Sequence, residues 1–125
     1  MTRKPSTTLT NGELRIMEAL WELGSATVNE VVAELDKTGS VTYKTTQSML
    51  RILEDKAYVQ HSKQSRSFVY SPLVSRRDAS LAATKQLISR FFNNSPQSLV
   101  ANLLEEEALD AQDLEQLRSL IDESE

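Results

Sequence analysis

Tyr43, Lys44, Thr45, Gln47, Ser48 and Arg51 put three hydroxyls, two cations and one amide into a span of nine residues. On a helix they share a surface of about two to three turns. Each has a natural counterpart on a DNA duplex. Lysine donates to guanine O6 and N7, and glutamine pairs with adenine. Threonine and serine bond base edges or phosphate, and a threonine methyl meets the methyl of thymine. A helix N-terminus adds free N–H groups for phosphate. His61, Lys63 and Arg66 follow, and each offers a further phosphate contact. Yet a polar helix face with two cations is ordinarily just a solvated face. The elements that position these side chains must decide.

Charge is distributed unevenly along the 125 residues. The net value of −4 conceals a basic segment. Residues 37–66 hold six Lys or Arg against two Asp or Glu, a net of +4. Residues 73–125 hold five against ten, a net of −5. Such asymmetry suggests two tasks in one chain.

The first nine residues read as a flexible N-terminus. "TNGE" carries the Thr-x-x-Glu capping pattern at Thr10 and Glu13, so a helix starts there. Leu14, Met17, Leu20 and Trp21 give it an apolar face, flanked by Ile16 and Leu23. Gly24 should end it at positive φ. "TVNE" repeats the pattern at Thr27 and Glu30, and Val31, Val32 and Leu35 supply the second apolar side. Thr42 caps a third helix to about Lys56, with Met49, Leu50, Ile52 and Leu53 on its inner side. The period then changes. "YVQHSKQ" and "SFVYS" read as strands, "KQSR" as the tip between them, and Pro72 as the stop. Three further helices are capped by Ser75, by Ser95 followed by Pro96, and by Asp110. Leu81, Leu87, Ile88, Phe91 and Phe92 give the first of these its apolar face.

Helix, helix, helix, hairpin is the order of a winged helix-turn-helix. The expected fold is therefore mainly α with a small β-hairpin wing. Residues 10–72 form an N-terminal winged helix-turn-helix, and residues 73–125 a C-terminal helical dimerisation region. A third helix in a major groove and a hairpin on neighbouring phosphates together suit double-stranded DNA. Trp21, Met17, Met49 and Tyr70 read as core or packing residues.

Other chemistry finds little footing. The chain has no cysteine, one histidine, three glycines and no phosphate-cradling loop, so catalysis, a cofactor and a metal centre are not expected. Glu105, Glu106 and Glu107 point in successive directions and cannot converge on one ion. No apolar run reaches the roughly 18 residues of a membrane span, and "MTRKPSTTLT" has no apolar stretch behind its basic residues. A cytoplasmic location without membrane insertion is expected.

About fifty residues rarely sustain a core of their own. The C-terminal helices are short and amphipathic, so pairing with a second copy is the simplest way to bury them. Phe91, Leu99, Leu103, Leu114, Leu117 and Ile121 are the candidates for the shared core.

Four segments, "LTNGELRIMEALWELGSATVNEVVAEL", "YKTTQSMLRILEDKAYV", "SFVYSPLVSRRDA" and "SLVANLLEEEALDAQDLEQLRSLI", together resemble the penicillinase-repressor family of bacterial transcription regulators, the BlaI/MecI type. The resemblance spans roughly residues 8–122. It implies a dimeric winged-helix repressor on a palindromic operator. It also implies release when a membrane-embedded metalloprotease sensor triggers cleavage in the C-terminal region, at a position matching Asn102 and Leu103. Three departures stand out. Ala57 replaces the glycine usual after the third helix. Val41 and Tyr43 stand where tryptophan or proline often precedes the recognition helix. Leu103 replaces the phenylalanine of the family cleavage site. The chain also lacks the cysteine-rich tail of a copper-responsive branch. The alternative to operator binding is a dimeric winged-helix module that docks on a protein.

Overall fold

The computed structural model describes residues 9–123. The flexible stretch expected at 1–9 therefore lies outside the described residues except for Leu9. Leu9 is half-buried against the core instead of belonging to a free tail.

Capping sets the first two helices. At α1 (Asn11–Leu23) the Thr10 hydroxyl accepts the Glu13 N–H at 3.1 Å, and the Glu13 carboxylate accepts the Thr10 N–H at 2.8 Å. At α2 (Val28–Asp36) Thr27 and Glu30 make the same exchange at 3.2 and 2.9 Å. Both boxes satisfy N–H groups that a bare helix end leaves orphaned. Gly24 ends α1 at φ +85° and ψ −60°, a conformation that a side chain would oppose. In α3 (Tyr43–Asp55) the Thr42 hydroxyl accepts the Thr45 N–H at 3.2 Å.

The hairpin pairs β2 (Val59–Gln64) with β3 (Ser67–Pro72), His61 lying opposite Tyr70 and Lys63 opposite Phe68. A third strand not expected from sequence, β1 (Ala26–Thr27), pairs antiparallel with β3 and gives the order β1-β3-β2. Two residues are too few to show a strand period. β3 ends at Pro72, the stop read from sequence. Pro72 lies opposite Val59 and beyond the reach of β1, where a missing N–H is tolerated.

The core gathers Ile16, Met17 and Leu20 from α1, Val28, Val31 and Leu35 from α2, and Leu50 and Leu53 from α3. Tyr58, Val59 and Tyr70 close it from the sheet side. Two inner faces differ from expectation. In α1 the buried line is Glu13, Ile16, Met17 and Leu20, while Leu14 and Leu23 are exposed. In α3, Ile52 is 46 % exposed and Thr46 takes a core position. Thr46 fits because its hydroxyl donates to the Thr42 carbonyl at 2.9 Å, so no polar group is orphaned. The spacing of Thr46, Leu50 and Leu53 turns Ile52 outward.

α4 (Arg76–Phe91) begins at Ser75, whose hydroxyl accepts the Asp78 N–H at 3.0 Å. Its start is pinned to α1. The Trp21 indole N–H donates to the Val74 carbonyl at 2.8 Å, and the Arg76 guanidinium stacks 5.0 Å above the Trp21 ring. Contacts divide the chain into Met1–Ala83 and Thr84–Glu125. The division falls inside α4, eleven residues past the boundary at 72 read from sequence, because Val74 and Ala79 pack on the first unit's core.

In the second unit, α5 (Pro96–Glu105) starts with the Ser95 hydroxyl accepting the Ser98 N–H at 3.2 Å. α6 (Ala111–Glu123) starts with Asp110 and Asp113 exchanging bonds at 2.8 and 3.1 Å. Neither helix buries a residue.

Candidate nucleic-acid interface

α3 is divided lengthwise. Thr46, Leu50 and Leu53 face the core, and Tyr43, Lys44, Thr45, Ser48 and Arg51 are exposed. Gln47 is half-buried. The six polar residues read from sequence therefore all lie off the buried side. The first turn contains no acidic residue, and the acids Glu54 and Asp55 sit at the far end. A polyanion is thus favoured at the N-terminal half, where the helix dipole is also positive.

Lys63 and Arg66 are exposed on the wing, Lys63 near the end of β2 and Arg66 in the turn. Arg66 shares a cleft of about 240 Å³ with Tyr43 and Gln47 of α3, and with Ser67 and Phe68 of β3. Thr27, Val28 and Asn29, at the start of α2, complete the lining. Helix and wing thus line one cleft. Asn29 and Phe68 were not among the residues singled out in the sequence. A half-exposed aromatic in a strand and an asparagine in a first helical turn carry no spacing signal of their own.

His61 is placed differently from Lys63 and Arg66. Its Nδ1 lies 2.6 Å from Oε2 of Glu54, and the same oxygen accepts the His61 backbone N–H at 3.1 Å. Its ring leans on Phe68 and Tyr70, with centroids 4.7 and 5.5 Å away. Tyr70 is buried beneath it. Burial raises the Tyr70 phenol above its ordinary value, and the charge of Glu54 raises it further against the opposing effect of Arg51.

Beneath the interface, Lys56 at the end of α3 donates to Glu13 at 2.8 Å. Ala57 follows at φ +68°, in the left-handed region that favours glycine. The chain turns there from α3 into the sheet, with the Tyr58 N–H returning to the Leu53 carbonyl at 2.9 Å. The described residues contain no cluster of three or more metal-ligating side chains, and no helix long and apolar enough to cross a membrane.

The sequence matches the penicillinase repressor family over residues 9–123. The chain belongs to that family. A penicillinase repressor of Bacillus licheniformis is 33% identical over 115 residues, covering 92% of this chain and 90% of the relative. The methicillin resistance regulatory protein MecI of Staphylococcus aureus is 25% identical over 113 residues, covering 90% and 92%. Among solved structures, the DNA-binding domain of the repressor BlaI superposes with a TM-score of 0.54 at 37% identity, covering 60% of this chain and 92% of that one. The monomeric form of Bacillus licheniformis BlaI, solved in complex with the blaP half-operator, gives 0.51 at 36% identity, covering 62% and 93%. As a member of the penicillinase repressor family, the chain is a DNA-binding transcriptional repressor and not an enzyme.

The six dimerisation candidates lie on three helices. Phe91 closes α4 and is 67 % exposed. Leu114, Leu117 and Ile121 on α6 are also exposed. Leu99 and Leu103 on α5 are half-buried. Asn102 and Leu103 fall inside α5, Asn102 exposed and its carbonyl accepting the Glu106 N–H at 3.2 Å.

Proposed function

We infer that this repressor works as a homodimer on a palindromic operator, in the cytoplasm, and that α3 reads the major groove while the wing takes phosphates. The observation that carries the docking is the shared cleft of Arg66 with Tyr43 and Gln47. A wing cation beside a half-buried amide of the reading helix lets one DNA strand meet both. Lys44, Thr45, Gln47 and Ser48 approach base edges, and Tyr43, Arg51, Lys63 and Arg66 approach the backbone. His61 acts through the wing. The likeness to a BlaI bound to its half-operator supports the same docking here.

Pairing follows from the second unit. Leu104, Leu114, Leu117, Leu120 and Ile121 are exposed, and no residue of α5 or α6 is fully buried. Helices with this much uncovered leucine and isoleucine need a partner surface, and a second copy supplies one with two-fold symmetry. Two copies place two reading helices on two half-sites. The acidic surplus of residues 73–125 then marks a region kept off the DNA. Release follows cleavage between Asn102 and Leu103 within a membrane metalloprotease sensor pathway. The cut separates α6 from the chain and removes Leu114, Leu117 and Ile121 from the pair.

The deciding experiment is the salt dependence of binding to a duplex selected from a random-sequence pool. A dimer that neutralises several phosphates loses affinity steeply, with a log–log slope of about −0.9 for each phosphate contact. A flat dependence, or no selected sequence, points to the protein-docking module instead.

A further inference from the structure

Glu54 is out of place on a DNA-binding helix. It is an acid on the same element as Lys44 and Arg51, where phosphate approaches, and its side chain is one-third exposed. Simple electrostatics disfavours it. Its contacts supply a reason for it. One oxygen, Oε2, accepts both the main-chain N–H and the Nδ1–H of His61. A carboxylate only accepts, so Nδ1 carries the proton. On its other side the imidazole leans on Phe68 and Tyr70 of the neighbouring strand.

The wing needs such a fixture. β1 reaches only Val69 and Tyr70 of β3. Toward the tip the hairpin is two-stranded, with Lys63 opposite Phe68 and Gln64 opposite Ser67. Two-stranded ribbons are marginal alone, so the direction of this one is set at its root. β2 is an edge of the sheet, and the His61 N–H turns to Glu54 for its acceptor. The hairpin is therefore held on one edge by β1 and on the other by α3. Lys63 lies two residues beyond the fixture, about 6 to 7 Å along the strand, and Arg66 lies past it in the turn.

We propose that Glu54 and His61 form a clamp that aims the wing, making both of them positioning residues for the phosphate contacts of Lys63 and Arg66. The proposal rests on the DNA-docking reading above for its consequence, but the clamp itself can be tested without DNA.

The test compares Glu54→Ala, Glu54→Gln and His61→Ala with the wild type, all in the full chain. Glutamine keeps an acceptor for the His61 N–H, so it separates geometry from charge. Without DNA, amide exchange across 62–68 should accelerate in Glu54→Ala and His61→Ala and stay near wild type in Glu54→Gln, with thermal melting reporting the global fold. With the duplex that the wild type selects from a random pool, Glu54→Ala should bind about tenfold more weakly. Its salt slope should flatten by about 3.6, the share of two phosphate contacts in each of the two copies at ~0.9 each. Adding Arg66→Ala to Glu54→Ala should then change little, while Glu54→Gln should restore both affinity and slope. Removing an acid near phosphate predicts the opposite sign, so Glu54→Ala binding as well as or better than wild type overturns the proposal. Glu54→Gln failing as badly as alanine, or wing exchange unchanged in both alanine variants, overturns it too. A wild type that selects no duplex defeats the docking reading instead, and the exchange data still decide the clamp.

Discussion

Lys56 Nζ lies 2.8 Å from Glu13 Oε1, joining the end of α3 to the first turn of α1 across 43 residues of chain. Glu13 is only 3 % exposed. The same oxygen accepts the Thr10 N–H, so a capping carboxylate is also half of an interior ion pair. A carboxylate this enclosed is tolerated because its charge is both paired and hydrogen-bonded.

That arrangement fixes a pH dependence. Burial alone pushes the Glu13 carboxyl up, but the Lys56 ammonium and the Thr10 N–H and hydroxyl outweigh it and hold it below the ordinary 4.5. A carboxyl lowered on folding contributes stability above its unfolded value and loses it as pH falls through the folded value. The melting temperature should therefore drop as pH falls below about 4.5, and Glu13→Gln should blunt that dependence. Lys56→Met leaves a buried carboxylate short of a partner and should cost about 1–3 kcal/mol in urea denaturation at neutral pH.

Ala57 gives a prediction of opposite sign. At φ +68° its Cβ crowds the backbone. Left-handed geometry costs a non-glycine residue roughly 1–2 kcal/mol, and glycine returns part of that through its extra freedom when unfolded. Ala57→Gly should stabilise the protein by about 0.5–1 kcal/mol, read as a raised urea midpoint at unchanged slope.

Much of this was legible in sequence, for local reasons. Capping boxes at Thr10 and Thr27 act over three residues, so their spacing alone betrays them, and Ser75, Ser95 and Asp110 cap as their chemistry suggests. The strained turn at Ala57 was visible as a missing glycine. What sequence hid depends on distance in the chain. Thr46 in the core and Ile52 outside it follow from which side of α3 meets α1 and α2, which a count of apolar residues does not give. The Glu13–Lys56 and Glu54–His61 pairs join elements that periodicity reads separately. β1 exists only because β3 passes beside it.

Reading of bases should be concentrated in α3. Lys44→Ala and Gln47→Ala should each cost roughly 1–3 kcal/mol if the contact is bidentate, and each should relax preference at one base pair of the selected duplex. Arg66→Ala should weaken binding evenly across sequences. Competition assays with single-base variants of the duplex check both. Unchanged affinity in Lys44→Ala and Gln47→Ala contradicts the docking.

Dimerisation should fail at α6. Leu117 is 40% exposed on the single chain and is assigned to the shared core. Leu117→Asp places an unpaired charge there, which is expensive once buried. Sedimentation should show monomers where the wild type is dimeric. Operator affinity should fall as well, since two linked half-sites no longer act together. A wild-type chain that sediments as a monomer at micromolar concentration removes the basis of this prediction.

Cleavage between Asn102 and Leu103 makes the last prediction, and it turns on the end of α5. A bond inside a helix resists a protease until the helix opens locally. This one lies near the C-terminus of α5, where the Asn102 carbonyl is held by the Glu106 N–H at 3.2 Å and the Leu103 carbonyl by the Ala108 N–H at 3.0 Å. The stop depends on Glu107, a non-glycine residue at φ +56°. Such an end frays more readily than one closed by glycine. Glu107→Gly should therefore tighten the last turn and slow the cut, while leaving DNA binding by the uncut chain as it was. In induced cells, mass spectrometry should find a C-terminal fragment beginning at Leu103, accumulating later in the Glu107→Gly strain. Intact chains in fully derepressed cells would end the cleavage reading. An unchanged rate in Glu107→Gly would instead show that opening of this helix end does not limit the cut.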